Sequence, residues 1–400
     1  MEFFEKAWPL AESGEGAFTQ KAGAERNRLR VLGLIARRQC LSQRQITRAT
    51  RLQASTVSNI VRDLKESGLV REGAPIEAER VGPKETELEL VADAAWSLGV
   101  GLEPLGHRLT LANAAGHVLT QETLPPGMSV DELAALLPAR LAELADRSGL
   151  AMEQFAGAGI SVPGVVDSAS GTILMSRSLG VTRFPLRQTI AEKLGHPVWV
   201  ERNVACGAYA EHHIGAARDR DSFIYFLLRN DPGQPRVFGL ALVIGEKIFH
   251  GSNSAAGEVD RNLLSACFTL ASGQAGAADP LSDEASLDAF YRAWAEGLAG
   301  IVNLLDVSCL ILSTNDERFT RDRFGIVRDT VDRNLIPVPG RRFDLLRSGM
   351  GLEGTVLGGA LLALHRGLAS RLGQRKSGSQ TAAGDNNKPR TPRNPDRKRK

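Results

Sequence analysis

The chain has 400 residues, 42% of them apolar, with 49 Lys and Arg against 46 Asp and Glu; this predicts two or three soluble domains and excludes fibrous and wholly disordered classes. No run of eighteen apolar residues is present, and the acidic N-terminus MEFFEKAWPLAESGEG is not a signal peptide. The near-zero balance hides a segregation: about −3 over residues 1–20, +9 over 21–71 (twelve basic against three acidic), −10 over 72–372 and +7 over 373–400.

Residues 1–20 form a leader. A helix is expected from Glu25 to Gln39, with Leu29, Leu32 and Ile35 on one face. Leu41 to Val70 then reads as two short helices about a tight turn. Ser42 caps the first, Gln45 three residues on completes a capping box, and Leu41 with Ile46 forms a hydrophobic staple. The second, Ala54 to Gly68, places Val57, Ile60, Val61 and Leu64 in one apolar stripe. This is the pattern of a helix-turn-helix that reads double-stranded DNA. Gln53, Ser55, Thr56, Ser58 and Asn59 are expected at base edges, and Arg62, Lys65 and Arg71 at phosphates. A plain three-helix module facing water is the alternative; the +9 excess argues against it, because such a charge calls for a polyanion. Residues 69–91 give two strand-like runs about a Gly- and Pro-bearing connection, a wing in which Arg71, Arg80 and Lys84 follow a phosphate backbone; a linker hairpin reads almost as well.

From about Ala95 strands and helices alternate in two successive sets. The first holds SLGVGL, HRLTLAN, GHVLTQETL, the helix VDELAALLPARLAELADRSG, GAGISVPGVVD, the helix FPLRQTIAEKLG, PVWVERN and the helix ACGAYAEHHIGAA. The second holds SFIYFLL, VFGLALVIG, EKIFHG, helices through Leu305, CLILSTN and a closing helix EGTVLGGALLALHRGLASRL. Two α/β lobes are expected. The expected boundaries are 1–20 leader, 21–92 winged helix-turn-helix, 93–372 two-lobed body and 373–400 disordered tail. The tail reads either as a solubilising end or as a weak, non-specific DNA contact. Cys40, Cys206, Cys267 and Cys309 lie far apart with no CxxC pair, and are read as core thiols in a reducing cytosol.

The winged module ahead of the body, GAGISVPGVVD, LGHPVWVERN and SAAGEV together make the chain from Glu25 to about Leu372 resemble the ROK family, which groups repressors and sugar kinases. The resemblance implies an actin- and hexokinase-like (ribonuclease H-like) two-lobed fold and a homodimer or higher homo-oligomer. It does not choose between kinase and repressor. Kinase members carry Asp-x-Gly-Gly-Thr between the first two strands; here Gly101, Glu103, Pro104 and Leu105 stand there, and of the second glycine-rich loop Gly239 alone survives. Pro104 has no N–H, Leu105 no hydroxyl, and Glu103 brings negative charge towards phosphates. The family's catalytic aspartate is Asn203, which is no general base. The zinc cluster is replaced by Arg261 and a stretch with Cys267 alone. No catalytic residue, metal or cofactor is therefore expected. At the family's sugar contacts stand Ser178, Asn203, Glu258 and Arg261. Ser178, Asn203 and Glu258 suit a polyol, with Arg177, Arg202 or Arg261 suiting an anionic group. The alternative is a cleft that has lost its ligand.

These residues predict a cytoplasmic regulator, a repressor without kinase activity, that binds a palindromic operator as a dimer and senses a sugar or sugar phosphate in its cleft. A ligand-independent regulator with a dimerising body, a sugar kinase, and a scaffold whose basic head binds protein are the rival readings.

Overall fold

The computed structural model describes residues 20–37, 42–76, 85–231, 236–259 and 281–382. The head has three helices, α1 (Gln20–Ala36), α2 (Gln43–Thr50) and α3 (Ala54–Glu66), then an antiparallel pair β1 (Val70–Ile76) and β2 (Glu85–Leu90). The Ser42–Gln45 capping box starts α2 as expected, and Val57, Ile60, Val61 and Leu64 of α3 are buried. The first helix begins and ends earlier than its apolar spacing predicts. Leu41, and the wing tip with Arg80 and Lys84, lie outside the described residues. The Ser42 hydroxyl donates to Glu85, which ties the turn end of the β1–β2 hairpin to the α2 cap.

The first lobe has the sheet order β10-β6-β3-β4-β5 and the second β13-β12-β11-β14-β15. In the first, β3 (Trp96–Gly101), β4 (Arg108–Asn113) and β5 (Val118–Thr123) form an antiparallel meander. To β3 are added, in parallel, β6 (Phe155–Val162) and β10 (Val198–Arg202). In the second, β11 (Phe223–Arg229), β12 (Val237–Ile244) and β13 (Lys247–Phe249) form the meander, with β14 (Cys309–Thr314) and β15 (Asp344–Arg347) added in parallel. Each lobe therefore has one strand order, three antiparallel strands followed outward from the first by two parallel ones. This is the two-lobed architecture the alternation predicts.

Helices α4 (Val130–Arg147) and α5 (Leu186–Leu194) cover one face of the first sheet. Helices α7 (Glu284–Leu305) and α8 (Arg321–Asn334) cover one face of the second. Between the sheets lies α6 (Asn203–His213), packed along α9 (Glu353–Ala382). The contacts of α9 with the first sheet and with α6 are backbone on backbone: a Cβ at Gly159 of β6 would overlap the Gly359 carbonyl, and one at Gly358 would overlap that of Cys206 in α6.

Several elements depart from expectation. Strands β7 (Val165–Asp167), β8 (Thr172–Ser176) and β9 (Val181–Phe184) form a small extra sheet beside β10. Helix α8 and strand β15 are additional too, and α9 runs to Ala382, ten residues past the boundary placed at Leu372. Residues 383–400 lie outside the described part of the chain. Cys206 and Cys309 are buried, free thiols; burial raises both above the usual thiol range, Cys309 to about 11. Cys40 and Cys267 are outside the described residues. Among the described residues no helix is long and apolar enough to cross a membrane.

Candidate nucleic-acid interface and interlobe cleft

The apolar stripe of α3 turns its opposite side outward. Gln53, Ser55, Ser58, Asn59, Arg62 and Lys65 are exposed and Thr56 is half-buried; Arg71, at the start of the wing, is exposed as well. Seven of the eight residues expected at DNA are therefore exposed. The three cations are held by neighbouring acids. Arg62 pairs with Glu66 at 3.7 Å, Lys65 with Glu72 at 2.6 Å and Arg71 with Glu89 at 2.9 Å. Exposed pairs of this kind are worth about 0–1 kcal/mol each, so exchanging the acid for a phosphate costs little. Arg44, two-thirds exposed and paired with Glu85 at 3.3 Å, adds a cation from α2 that residue patterns alone did not single out. Lys65→Ala is expected to weaken DNA binding on all sequences alike and to lower the slope of log affinity against log salt by about one. An unchanged slope in a salt titration would remove Lys65 from the interface.

The head is not a free appendage. Val31, Leu32 and Ile35 of α1 share a core with Ala210 of α6 and with Leu357, Leu361, Leu364 and Leu368 of α9. At the end of α1 the buried Arg37 guanidinium donates to His212 Nε2 at 2.5 Å and lies 3.6 Å from Glu246 in the β12–β13 turn. Burial, and then the Arg37 charge, push His212 down to about 3, so it accepts the bond as a neutral ring. Beside it His213 stacks on Tyr209, and the Tyr209 hydroxyl meets His365 Nδ1 at 2.7 Å. Burial depresses His213 and His365 as well, the latter to about 4. Histidines held neutral in the fold take up protons first when unfolded. Stability is thus fully present above about pH 6.5 and is lost as pH falls towards 4, by up to about 1.4 kcal/mol per pH unit for each histidine. Melting temperatures recorded from pH 7 to pH 4 are expected to fall, and His365→Gln should flatten that fall. A flat profile would contradict the neutral cluster.

At its other end α6 follows directly on β10, where the candidate ligand residues lie. Asn203 is its first residue, and its Oδ1 accepts the Val204 N–H at 2.8 Å. Arg202 caps the helix with its side chain fully enclosed, Nη1 lying 3.5 Å from Oε1 of the half-exposed Glu258. Glu201 is buried: His250 Nε2 sits 2.8 Å from one oxygen, and the Arg202 N–H donates to the other at 2.8 Å. Burial alone would raise this carboxyl, but those partners hold it at about 2. Asn203 and Glu258 thus come together around Arg202. Ser178 is exposed in the β8–β9 turn, where its hydroxyl lies 3.4 Å from that of Ser176; among the described residues no hydrogen bond joins it to Asn203 or Glu258. Arg177 is exposed in the same turn. Arg261 lies outside the described residues.

The place of the kinase phosphate loop is filled by an ion network. Glu103 is buried and accepts from Arg229 of the other lobe at 2.8 Å, with Arg108 at 3.5 Å. Arg229 also pairs with Asp231, whose second oxygen accepts from Asn315 at 2.9 Å. Gly239 serves packing: a Cβ there would approach Val204 of α6 at 2.5 Å. The lobes are therefore bridged by side chains of the protein itself.

Comparison with known proteins agrees with this division. Residues 106–265 match the ROK family and residues 23–80 the MarR family. The chain is 26% identical over 240 residues to the xylose repressor of Caldicellulosiruptor bescii, a match covering 60% of this chain and 58% of that protein. It thus spans a little over half the length of that relative. A ROK family transcriptional regulator described as a homologue of the E. coli MLC protein superposes with a TM-score of 0.66 at 18% identity, over 88% of this chain and 99% of that one. A ROK family glucokinase from Streptomyces griseus, solved with glucose and AMPPNP, superposes with a TM-score of 0.54 at 19% identity, over 67% of this chain and 99% of its own. At these identities the two structural likenesses speak for the fold.

Proposed function

We propose that this chain, a MarR-type winged helix joined to a ROK family domain, is a transcription repressor that binds operator DNA through α3 and answers to a sugar-like effector in its interlobe cleft. The observation that carries the reading is the exposed polar face of α3 on a strongly basic head. The repressor named among its relatives supports it. The body pairs two heads in a homodimer, so the operator is a palindrome with half-sites about one helical turn, or a multiple, apart. Such a protein works in the cytosol, where the DNA is. Helix α6 spans about 14 Å from Asn203 in the cleft to His212 beneath α1, and is the path by which lobe movement re-spaces the heads. Selection of bound DNA from a random pool, titrated against salt, tests this. A palindromic site with a steep salt slope is expected, and recovery of nothing above background would refute it.

The same protein has no kinase activity in this reading. Glu103 is committed to Arg229 and Arg108, Pro104 has no N–H to offer a phosphate, and Asn203 cannot take a hydroxyl proton. Restoring the carboxylate with Asn203→Asp is therefore expected to give no sugar-dependent ATP turnover. Turnover above the wild-type background would show that the phosphate cradle survives. The interlobe bridge favours a second reading, in which the body is a fixed dimerising platform without a ligand.

A further inference from the structure

The cleft end of α6 carries an unfinished contact. The Arg202 side chain is 0% exposed, yet among the described residues its Nε and Nη2 have no hydrogen-bond partner. These two nitrogens form the side-on fork of a guanidinium, the edge that grips a carboxylate or phosphate with two parallel bonds. The acids nearby do not fill it. Glu258 reaches only Nη1, at 3.5 Å and from a half-exposed position. Both Glu201 oxygens are taken, by His250 and by the Arg202 backbone N–H. A buried arginine that leaves its fork empty forgoes its strongest hydrogen bonds, and native interiors seldom tolerate this.

The location points the same way. Arg202 ends β10, beside the C-terminal ends of the parallel strands β6 and β3, where open α/β sheets take their ligands. It also caps the 11-residue α6, whose positive end favours an anion. Next to it, the Asn203 NH2 makes no hydrogen bond among the described residues, which leaves a donor for a hydroxyl.

Resting on the reading of the body as an effector domain, we propose that Arg202 selects the effector's charge: the ligand is an anionic polyol, a sugar acid or sugar phosphate, whose oxyanion takes the Nε–Nη2 fork. Glu258 holds Nη1, the other side of the guanidinium. Because the fork is enclosed, lobe movement accompanies ligand entry, and that movement reaches the head along α6.

The test uses the full chain and a set of paired probes: D-glucose with D-glucose 6-phosphate, D-gluconate and D-glucuronate, and D-xylose with D-xylonate. Inorganic phosphate serves as the bare-anion control. At least one anionic sugar is expected to raise the melting temperature saturably, while its neutral parent and inorganic phosphate do not; whether carboxylate or phosphate acts identifies the oxyanion. Arg202→Lys keeps a charge but removes the fork, and should weaken that ligand about tenfold or more. Equal stabilisation by neutral sugars or by inorganic phosphate, no response to any probe, or an undiminished response in Arg202→Lys would each overturn the proposal. Should Arg202→Lys not fold, the paired probes on the wild type decide alone. Operator binding by the wild type is read separately: if it persists while every sugar fails, the charge-selecting site falls and the regulator stands.

Discussion

Replacing Ser55 and Asn59 together with alanine is expected to flatten the protein's preference among DNA sequences by about 1–3 kcal/mol for each base-edge hydrogen bond removed. The buried side of α3 fixes which residues face outward. Val57, Ile60, Val61 and Leu64 are buried, so the helix cannot rotate without exposing them, and Ser55 and Asn59, one turn apart, are held towards solvent. Neither makes a hydrogen bond to the rest of the head among the described residues, so their removal should leave the fold untouched. Binding to random sequence, supplied by cations such as Lys65 and Arg71, should persist with its salt dependence. The measurement is operator affinity relative to scrambled DNA, with a footprint. An unchanged ratio and footprint would take α3 out of the major groove and hand recognition to the wing.

Gly159→Ala is expected to destabilise the whole protein by about 3 kcal/mol or more, at the upper end of what overpacking does. Its added methyl would meet the Gly359 carbonyl, a backbone atom of α9 that no rotamer change can move aside. Helix α9 is the common floor of the molecule, since β3, β6, α6 and, through the shared core, α1 all rest on it. A shift there should spread to both lobes and to the head. Gly300→Ala is the control: it lies in α7 with nothing within 4 Å of the new Cβ, and should stabilise by up to about 1 kcal/mol. Chemical denaturation of the two variants checks the pair. Equal tolerance would mean that α9 and β6 do not meet backbone to backbone.

The reading head was legible because its signals are local. A Ser–Gln capping box and an i, i+3, i+4, i+7 stripe act within one or two helical turns and need no knowledge of the rest of the chain. The body's halves were legible for a similar reason, since buried strands such as FAGAGISV and FIYFLLR read as continuous apolar runs. Helix α8 was missed because RDRFGIVRDTVDRN keeps only Val327 and Val331 as buried apolar anchors; its Arg323 is buried too, through pairing with Glu284 and Asp288. Strands β8 and β9 are short and half-exposed, with no clean alternation to read.

By itself, then, the sequence determined a basic winged helix-turn-helix on a twin-lobed body. It also nominated the polar residues of the cleft. Only the tertiary structure decided how they are used. It joined Arg37 to His212 across 175 positions and Arg202 to Glu258 across 56. It turned Glu103 into a bridge to Arg229. It left Ser178 apart in an exposed turn. Period and capping are set by neighbours a few residues away, whereas an ion pair depends on which strands lie side by side, and no local pattern records that.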